Sequence, residues 1–305
     1  MKNKIIVVGS SNTDMVVKVP RIPAPGETIM GNEFFVIPGG KGANQAVAAA
    51  RVGASTIFIT CVGDDNFGLQ SIENYKKDGI DTRFIKKKPG VPSGVALINV
   101  SDNGENSISV APGANSHLEK EDIRGYEDAL IDAALVLVQL EIPMQTVETL
   151  AEIAFEKNIP LILNPAPAAQ LSDELLERIS IITPNETEAA LLTRRDHFSD
   201  DDIPQMANEL YAKGIKTVII TMGSKGVFLK TKDFNEIIQG YKVKAVDTTA
   251  AGDVFNGALA SALATEKPIK EAIDFAQRAA AVSVTRMGAQ PSAPTTKVIQ
   301  EFKFT

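Results

Sequence analysis

The chain has 305 residues, 44% hydrophobic and 23% charged, which is the composition of an ordinary globular protein long enough to bury a large core. Its net charge of -7 argues against a nucleic-acid binder, and its single cysteine, Cys61, excludes an intrachain disulfide and fits a reducing compartment. No apolar run reaches membrane-spanning length and the N-terminus lacks a signal-like segment, so a cytoplasmic protein is expected.

Ile5 to Val8 is a fully apolar run closed by Gly9-Ser10-Ser11, the pattern of a buried parallel strand. Asn12 and Asp14 follow, two apart and therefore on one face of an extended chain. A carboxylate accepts while an amide both donates and accepts, so the pair suits neighbouring hydroxyls of a sugar; a plain Asx turn is the competing reading. Met15 to Val19 and Phe34 to Ile37 read as strands, broken by Pro20, Pro23 and Pro25, with no helix between them. Gly39-Gly40-Lys41-Gly42-Ala43-Asn44-Gln45-Ala46 opens a helix that continues to Val52 and stops at Gly53. Its glycines permit close backbone approach to a ligand, with Asn44 in the first turn. It is not a Walker A motif, because Gly-x-x-x-x-Gly-Lys-Ser/Thr does not occur in the chain. Ser55 to Val62 is a strand, a helix follows from about Phe67 to Lys77, and Thr82 to Lys86 is a short strand. Val95 to Val100 and Ser107 to Val110 flank Asp102-Asn103-Gly104, a hairpin signal. These two strand-only blocks are expected to join in a small sheet set apart from the main body. Such a sheet has a face to hide, over a substrate, against a second subunit, or both.

From Glu119 the alternation is regular. A helix from Lys120 to Asp132 leads to the strand Leu135 to Leu140, which ends at Glu141 before a helix from Pro143 to Lys157. Pro160 to Leu163 is a strand. Ile179 to Thr183 is another, ending at Pro184-Asn185-Glu186-Thr187-Glu188, where a helix opens. Thr217 to Thr221 ends at Met222-Gly223-Ser224-Lys225-Gly226, and Val227 to Lys230 and Gly240 to Val246 are expected as two further strands. The last of these leads through Asp247-Thr248-Thr249-Ala250 into an Ala-rich helix from Ala251 to Ala264. Helices at Ile269 to Arg286 and Thr296 to Phe302 close the chain. Strands alternating with helices imply an α/β fold, a doubly wound and mainly parallel sheet flanked by helices, in which ligands sit at the carboxyl ends of the strands. Asn12/Asp14, Glu141, Asn185/Glu188, Gly223/Gly226 and Asp247 to Asp253 all fall at that end.

An isolated Asp at a helix start is commonly no more than a favourable first-turn acid. Asp253 is harder to dismiss. The free N–H groups expected at Ala251, Gly252 and Asp253 form an anion site suited to a phosphate. A carboxylate is at odds with such a site unless it takes a proton from the attacking group. No Ser-His pair offers a nucleophile, since His117 and His197 both lie in polar, loop-like contexts. The convergence points to phosphoryl transfer to a hydroxyl, with Asp253 as base and the N–H groups of Ala251 and Gly252 on the phosphate. Asn185 and Glu188 suit magnesium held through water, although an N-cap role for Asn185 and a first-turn role for Glu188 remain open.

Two long motifs, Pro38 to Ala46 and Asp247 to Ala258, are joined in order and spacing by Gly9 to Asp14, Pro25-Gly26-Glu27-Thr28, Val62-Gly63-Asp64-Asp65 and Pro184 to Glu188. With these residues the chain resembles the ribokinase-like, or PfkB, family of carbohydrate kinases from end to end. The resemblance implies one domain over residues 1–305, with a small β-sheet lid formed by two insertions at about 14–38 and 91–111. It implies ATP-dependent phosphorylation of a sugar, D-ribose going to ribose 5-phosphate. By that likeness Asn12, Asp14, Gly40, Lys41, Asn44, Glu141 and Asp253 contact the sugar. Asp253 is also the base, and Ala250, Ala251 and Gly252 form the anion hole. Asn185, Thr221, Gly223, Gly226, Gly252 and Gln277 surround ATP, and Glu188 serves magnesium through water. An activating monovalent cation, usually potassium, lies at Asp247, Thr249, Ser283, Arg286, Gly288 and Ser292, several of them through backbone carbonyls. The likeness also implies a homodimer made through the lid sheets. Asn12 favours a sugar that keeps its 2-hydroxyl, hence ribose over 2-deoxyribose. A fructokinase, deoxyribokinase or nucleoside kinase of the same family stays open, because lid residues shape the pocket.

Overall fold

Along the first strand, Ile5 and Val7 face one core while Ile6 and Val8 face another, and all four are fully buried. A strand with no polar face has to lie inside a sheet covered on both sides. The computed structural model, which describes residues 4–304, places it there. Met1, Lys2 and Asn3, the expected run-in to that strand, and Thr305 lie outside the described residues.

In chain order the elements are β1 (Lys4–Val8), β2 (Asn12–Val19), β3 (Glu33–Gly39), α1 (Lys41–Arg51), β4 (Ser55–Gly63), α2 (Asn66–Lys77), β5 (Ile85–Lys88), β6 (Gly94–Ser101) and β7 (Asn106–Ala111). Then come α3 (Lys120–Gly125), α4 (Glu127–Ile131), β8 (Leu135–Val138), α5 (Met144–Glu156), β9 (Leu161–Leu163), α6 (Asp173–Glu177), β10 (Ile181–Ile182), α7 (Glu186–Leu192) and α8 (Ile203–Ala212). The chain ends with β11 (Thr217–Thr221), β12 (Gly226–Lys230), β13 (Asn235–Gln239), α9 (Ala251–Ala264), α10 (Ile269–Ser283), α11 (Ala289–Ser292) and α12 (Thr296–Glu301).

The large sheet has nine strands in the order β13-β12-β11-β10-β9-β8-β1-β4-β5. It is parallel from β5 to β11, and β12 runs antiparallel to both of its neighbours. Leu135 and Leu137 of β8 fall in the same core as Ile5 and Val7, and Val136 and Val138 in the other. The period of two thus builds two cores from one set of strands. Burying each such side chain contributes about 1.5–3 kcal/mol. The core on the Ile5 side is closed by α1, α9 and α10, that on the Ile6 side by α3, α5, α7 and α8. This is the doubly wound arrangement expected.

The small sheet has the order β3-β2-β6-β7, with β2 antiparallel to β3 and parallel to β6. Every residue of β7 is exposed, and so are Phe34, Val36 and Leu97. β2 follows β1 after only Gly9-Ser10-Ser11, so Asn12 and Asp14 stand where the two sheets meet.

Two expectations need correction. Gly240 to Val246 is not a strand. The edge strand is Asn235–Gln239, and the segment after it runs along the end of α10, where the N–H groups of Val246 and Asp247 donate to the Val284 carbonyl. Its backbone is satisfied by a helix end, which an apolar pattern cannot announce. The single helix from Lys120 to Asp132 is two short ones broken at Tyr126, whose ring packs edge-on against Phe84. Among the described residues no helix is long and apolar enough to cross a membrane.

Candidate active site

α1 and α9 pack so closely that a Cβ on Gly257 would lie 2.5 Å from the Gln45 carbonyl oxygen. That contact sets Asp253, in the first turn of α9, against the first turn of α1. Asn44 Nδ2 donates to Asp253 Oδ2 and Gln45 Nε2 donates to Oδ1, both at 2.9 Å. Asp253 is 6% exposed. Burial raises its carboxyl above the ordinary range, while Lys41, Asn44 and Gln45 pull it back down.

At the start of α1, Gly40 is positioned on two grounds: its φ is 90°, and a Cβ would lie 2.7 Å from the Asn12 nitrogen. Glu141 follows β8 and its Oε2 accepts from Lys41 N–H at 3.0 Å and from Ser10 Oγ at 2.5 Å. Asp14 lies against Gly39, where a Cβ would strike its carboxylate at 2.2 Å. Burial, then Glu141 and Asp253, raise the Asp14 pKa to about 6, and Lys41 opposes them. Lys41 is the cation among these groups. Burial lowers its affinity for a proton, but Asp253, Glu141, Glu188 and Asp14 together raise it. Asn12, Asp14, Gly40, Lys41, Asn44, Glu141 and Asp253 therefore converge.

Behind Asp253 is a chain of amides that the sequence reading missed. Gln139 Nε2 donates to Gln45 Oε1 at 2.6 Å, and Gln45 Nε2, besides holding Asp253, lies 3.0 Å from Asn164 Oδ1. Asn164 Nδ2 donates to the Thr183 carbonyl, Thr183 Oγ1 to Asn256 Oδ1, and Asn256 Nδ2 to the Gly252 carbonyl. The chain links Asp253 to the turn beside it. One signal was present: Gln45 sits next to Asn44 among small apolar residues, and a buried amide needs partners.

The anion hole differs in detail from expectation. Ala250 takes a left-handed conformation, φ 59°, as the residue before α9. Such a conformation costs about 1–2 kcal/mol outside glycine, a strain typical of ligand sites. The Ala251 N–H is not free, because it donates to the Thr248 carbonyl at 3.2 Å. The tight turn that throws Ala250 into this conformation closes on itself. The N–H groups of Gly252 and Asp253 have no partner among the described residues, and the space around Gly252 is open.

A cavity of about 280 Å³ adjoins this turn and is lined by Thr221, Gly223, Gly226, Gly252 and Gln277. Gln277 is 7% exposed and neither polar atom of its amide has a protein partner, so both are open to a group the protein does not supply. Asn185 does not line the cavity and reaches it only through a backbone bridge to Thr221. Asn185 and Glu188 do form the N-terminal box of α7. Asn185 Oδ1 accepts from Glu188 N–H and Glu188 Oε2 from Asn185 N–H, each at 2.8 Å. Glu188 also feels the site: burial raises its carboxyl, which the Asn185 bond and Lys41 oppose and Asp253 assists.

Among the residues expected to hold a monovalent cation, Asp247 Oδ1 accepts from Thr249 N–H at 2.9 Å and Oδ2 from Gly288 N–H at 2.8 Å. Burial raises this carboxyl, but these bonds outweigh it and leave it below the ordinary value. Ser283 and Ser292 donate their hydroxyls to carbonyls one helical turn back, leaving the oxygens as acceptors, while the Arg286 side chain is exposed. One carboxylate among carbonyl and hydroxyl oxygens is a donor set that fits a weakly hydrated cation of single charge. Among the described residues no group of three or more His, Cys, Asp or Glu is arranged to hold a metal ion.

A fold with polar groups gathered at the carboxyl ends of its strands, a buried carboxylate within a helix start and an adjoining cavity is the arrangement expected of a phosphotransferase. The chain belongs to the pfkB family of carbohydrate kinases, whose family model matches residues 2–296. Among its relatives, the ribokinase of Haemophilus influenzae is 47% identical over 302 residues, 99% of each chain. The crystal structure of a ribokinase from Thermotoga maritima aligns with a TM-score of 0.90 at 42% identity over 97% of each chain. An Arabidopsis thaliana ribokinase complexed with ribose and ATP aligns with a TM-score of 0.89 at 32% identity, over 99% of this chain and 100% of that one.

Proposed function

We propose that this chain transfers the γ-phosphoryl group of ATP to the 5-hydroxyl of D-ribose, giving ribose 5-phosphate and ADP. One observation carries the reading: the Asp253 carboxylate, held by Asn44 and Gln45 from the sugar side, shares a helical turn with the unpartnered N–H of Gly252. Asp253 takes the proton of the 5-hydroxyl as that oxygen bonds to the γ-phosphorus, and the bond from phosphorus to the β–γ bridging oxygen breaks. In the turn at Ala250, Ala251 and Gly252 it is the N–H of Gly252, with that of Asp253 beside it, that stabilises charge on the phosphoryl oxygens, since the Ala251 N–H is taken. Asn12, Asp14, Gly40, Lys41, Asn44 and Glu141 orient the sugar. Thr221, Gly223, Gly226 and Gln277 hold the nucleotide, with Asn185 beside them. Glu188 would hold magnesium through water, and the metal would offset phosphate charge. Potassium fits the oxygens of Asp247, Thr249, Ser283, Gly288 and Ser292, with Arg286 contributing only through its backbone.

The segments at about 14–38 and 91–111 act in this reading as a lid on a single domain. The exposed apolar residues Phe34, Val36 and Leu97, which share one face of the small sheet, pack against a second copy. A cytoplasmic setting, where ATP is supplied, completes the proposal. The test is a panel of ribose, 2-deoxyribose, fructose and adenosine with ATP and magnesium, run with and without potassium. Ribose is turned over best and potassium raises the rate. Turnover of fructose or adenosine well above ribose overturns the ribose reading.

A further inference from the structure

Asn12 is 5% exposed, and its Oδ1 accepts from Asn115 Nδ2 at 2.7 Å. Asn115 comes from the turn that follows β7, a hundred residues away in sequence, and is itself 2% exposed. Its Oδ1 accepts from the backbone N–H of Ser11 at 2.8 Å, and its Nδ2 lies 3.3 Å from the Ser11 carbonyl oxygen. A backbone N–H only donates and a backbone carbonyl only accepts, so one amide orientation of Asn115 satisfies both. That orientation turns the Asn115 NH2 group towards Asn12, and Asn12 has to answer with its oxygen. Its own Nδ2, with no partner among the described residues, is left for the ligand. The turn is firmly seated, since Ala114 N–H donates to the Pro92 carbonyl at 2.8 Å. Gly94 keeps room for the pair: a Cβ there would lie 2.1 Å from Asn12 Oδ1 and 2.3 Å from Asn115 Nδ2.

We propose that Asn115 is a positioning residue that makes Asn12 present a hydrogen-bond donor, not an acceptor, to the sugar. Asp14, two residues on along the same strand face, presents the acceptor. The donor and the carboxylate together read two neighbouring hydroxyls, and an analogue lacking one of them leaves a buried polar group unpaired. The backbone of Ser11 thereby sets the preference for a vicinal diol through two amides. This rests on the sugar-kinase reading above and names how that site selects its substrate.

The test is Asn115→Asp. The carboxylate still accepts from Ser11 N–H but now offers an acceptor to Asn12, whose amide turns over and points its oxygen at the sugar. The KM for ribose rises about tenfold while the KM for ATP is unchanged, and the ratio of kcat/KM for ribose over 2-deoxyribose falls about tenfold. Asn115→Ala, which removes the constraint without adding charge, gives a smaller fall in the same ratio and keeps the test available if the first variant does not fold. In an Asn12→Ala background neither change moves the sugar KM further. Equal losses on the two sugars, or an undiminished effect in the Asn12→Ala background, overturn the proposal. Wild-type turnover of another sugar instead of ribose counts against the ribose reading alone. The same measurements are then made on that sugar and its deoxy analogue.

Discussion

Two helices begin at this site, and they begin alike. Neither α1 nor α9 has a side-chain cap, and each is preceded by a residue of positive φ, 90° at Gly40 and 59° at Ala250. What differs is who satisfies the first N–H groups. At α1 the protein does: Lys41 N–H donates to Glu141, Gly42 N–H to Ser10 Oγ at 3.3 Å and Ala43 N–H to the Ser10 carbonyl at 2.9 Å. At α9 the N–H groups of Gly252 and Asp253 are left without a partner. Helix starts elsewhere in the chain, at Asp65, Ser172, Asn185 and Thr295, are capped by side chains. A helix start whose first N–H groups find no partner in the protein is suited to an anion. The comparison therefore separates the helix whose charge field holds a protein carboxylate from the one whose field is left open, as the proposed phosphate site requires.

The largest effect expected is at the carboxylate set into the open start. Asp253→Asn keeps shape and hydrogen-bonding capacity but cannot take a proton. Turnover falls about 10²-fold or more, with binding of sugar and ATP nearly unchanged. Steady-state kinetics beside calorimetric binding decide it, and equal activity removes Asp253 as the base. Next comes the N–H itself. Gly252→Pro deletes one donor at the second position of α9, a position where α8 already carries Pro204. We expect kcat to fall about 10²-fold with little change in the sugar KM. The matched change at the closed start, Gly42→Pro, should instead destabilise the fold. A side chain there would lie 2.5 Å from Ser10 N, and the lost N–H is one the protein uses. Thermal unfolding distinguishes the two, and similar stability losses in both variants break the contrast drawn above.

Gln45→Leu tests the link between the two helices. It removes the donor to Asp253 Oδ1 and leaves Asn164 Oδ1 and Gln139 Nε2 without their partner. A hydrogen bond to a charged group contributes about 1.5–3 kcal/mol, so kcat drops roughly tenfold or somewhat more. The sign on pH is fixed as well. The Gln45 bond lowers the Asp253 pKa, so its loss raises that pKa and the acid limb of kcat moves to higher pH. An unchanged limb leaves Gln45 with packing alone.

How far the sequence could reach follows from these residues. The alternation of strands and helices made the large sheet legible, because β1 and β8 carry apolar residues on both faces. Asp253 and the glycine-rich starts were legible because small residues and a misplaced charge stand together in one stretch. The amides were not. Gln45 meets Gln139 and Asn164 only after α1 and the ends of β8 and β9 have been brought together, and Asn115 meets Asn12 across the small sheet. Polar partners at long range leave no period to read. The segment after Gly240 failed for a related reason: its apolar residues line the cavity and the end of α10 and do not pair in the sheet.

The smallest expected effect concerns Asp14, whose pKa is raised to about 6, first by burial and then by Glu141 and Asp253. Above that pH the carboxylate is charged and accepts from the sugar; below it the acid is neutral and that acceptor is lost. Because kcat/KM reports the free enzyme, kcat/KM for the sugar should decline as pH falls through about 6. Asp14→Asn should lower kcat/KM at pH 7 and remove this limb, while the limb of kcat that belongs to Asp253 stays. Stability moves the other way. A carboxyl whose native pKa lies above its unfolded value binds more protons when folded, so it destabilises the fold as pH rises from about 4 through 6. At pH 7 the penalty is on the order of 1–3 kcal/mol, and Asp14→Asn, which cannot ionise, should melt at a higher temperature than wild type, the gap closing towards pH 4. A variant that binds sugar worse and unfolds later would show that the charge at Asp14 is kept for the substrate against the interest of the fold. A variant that loses both sugar and stability would instead place the Asp14 carboxylate among the groups that hold the two sheets together.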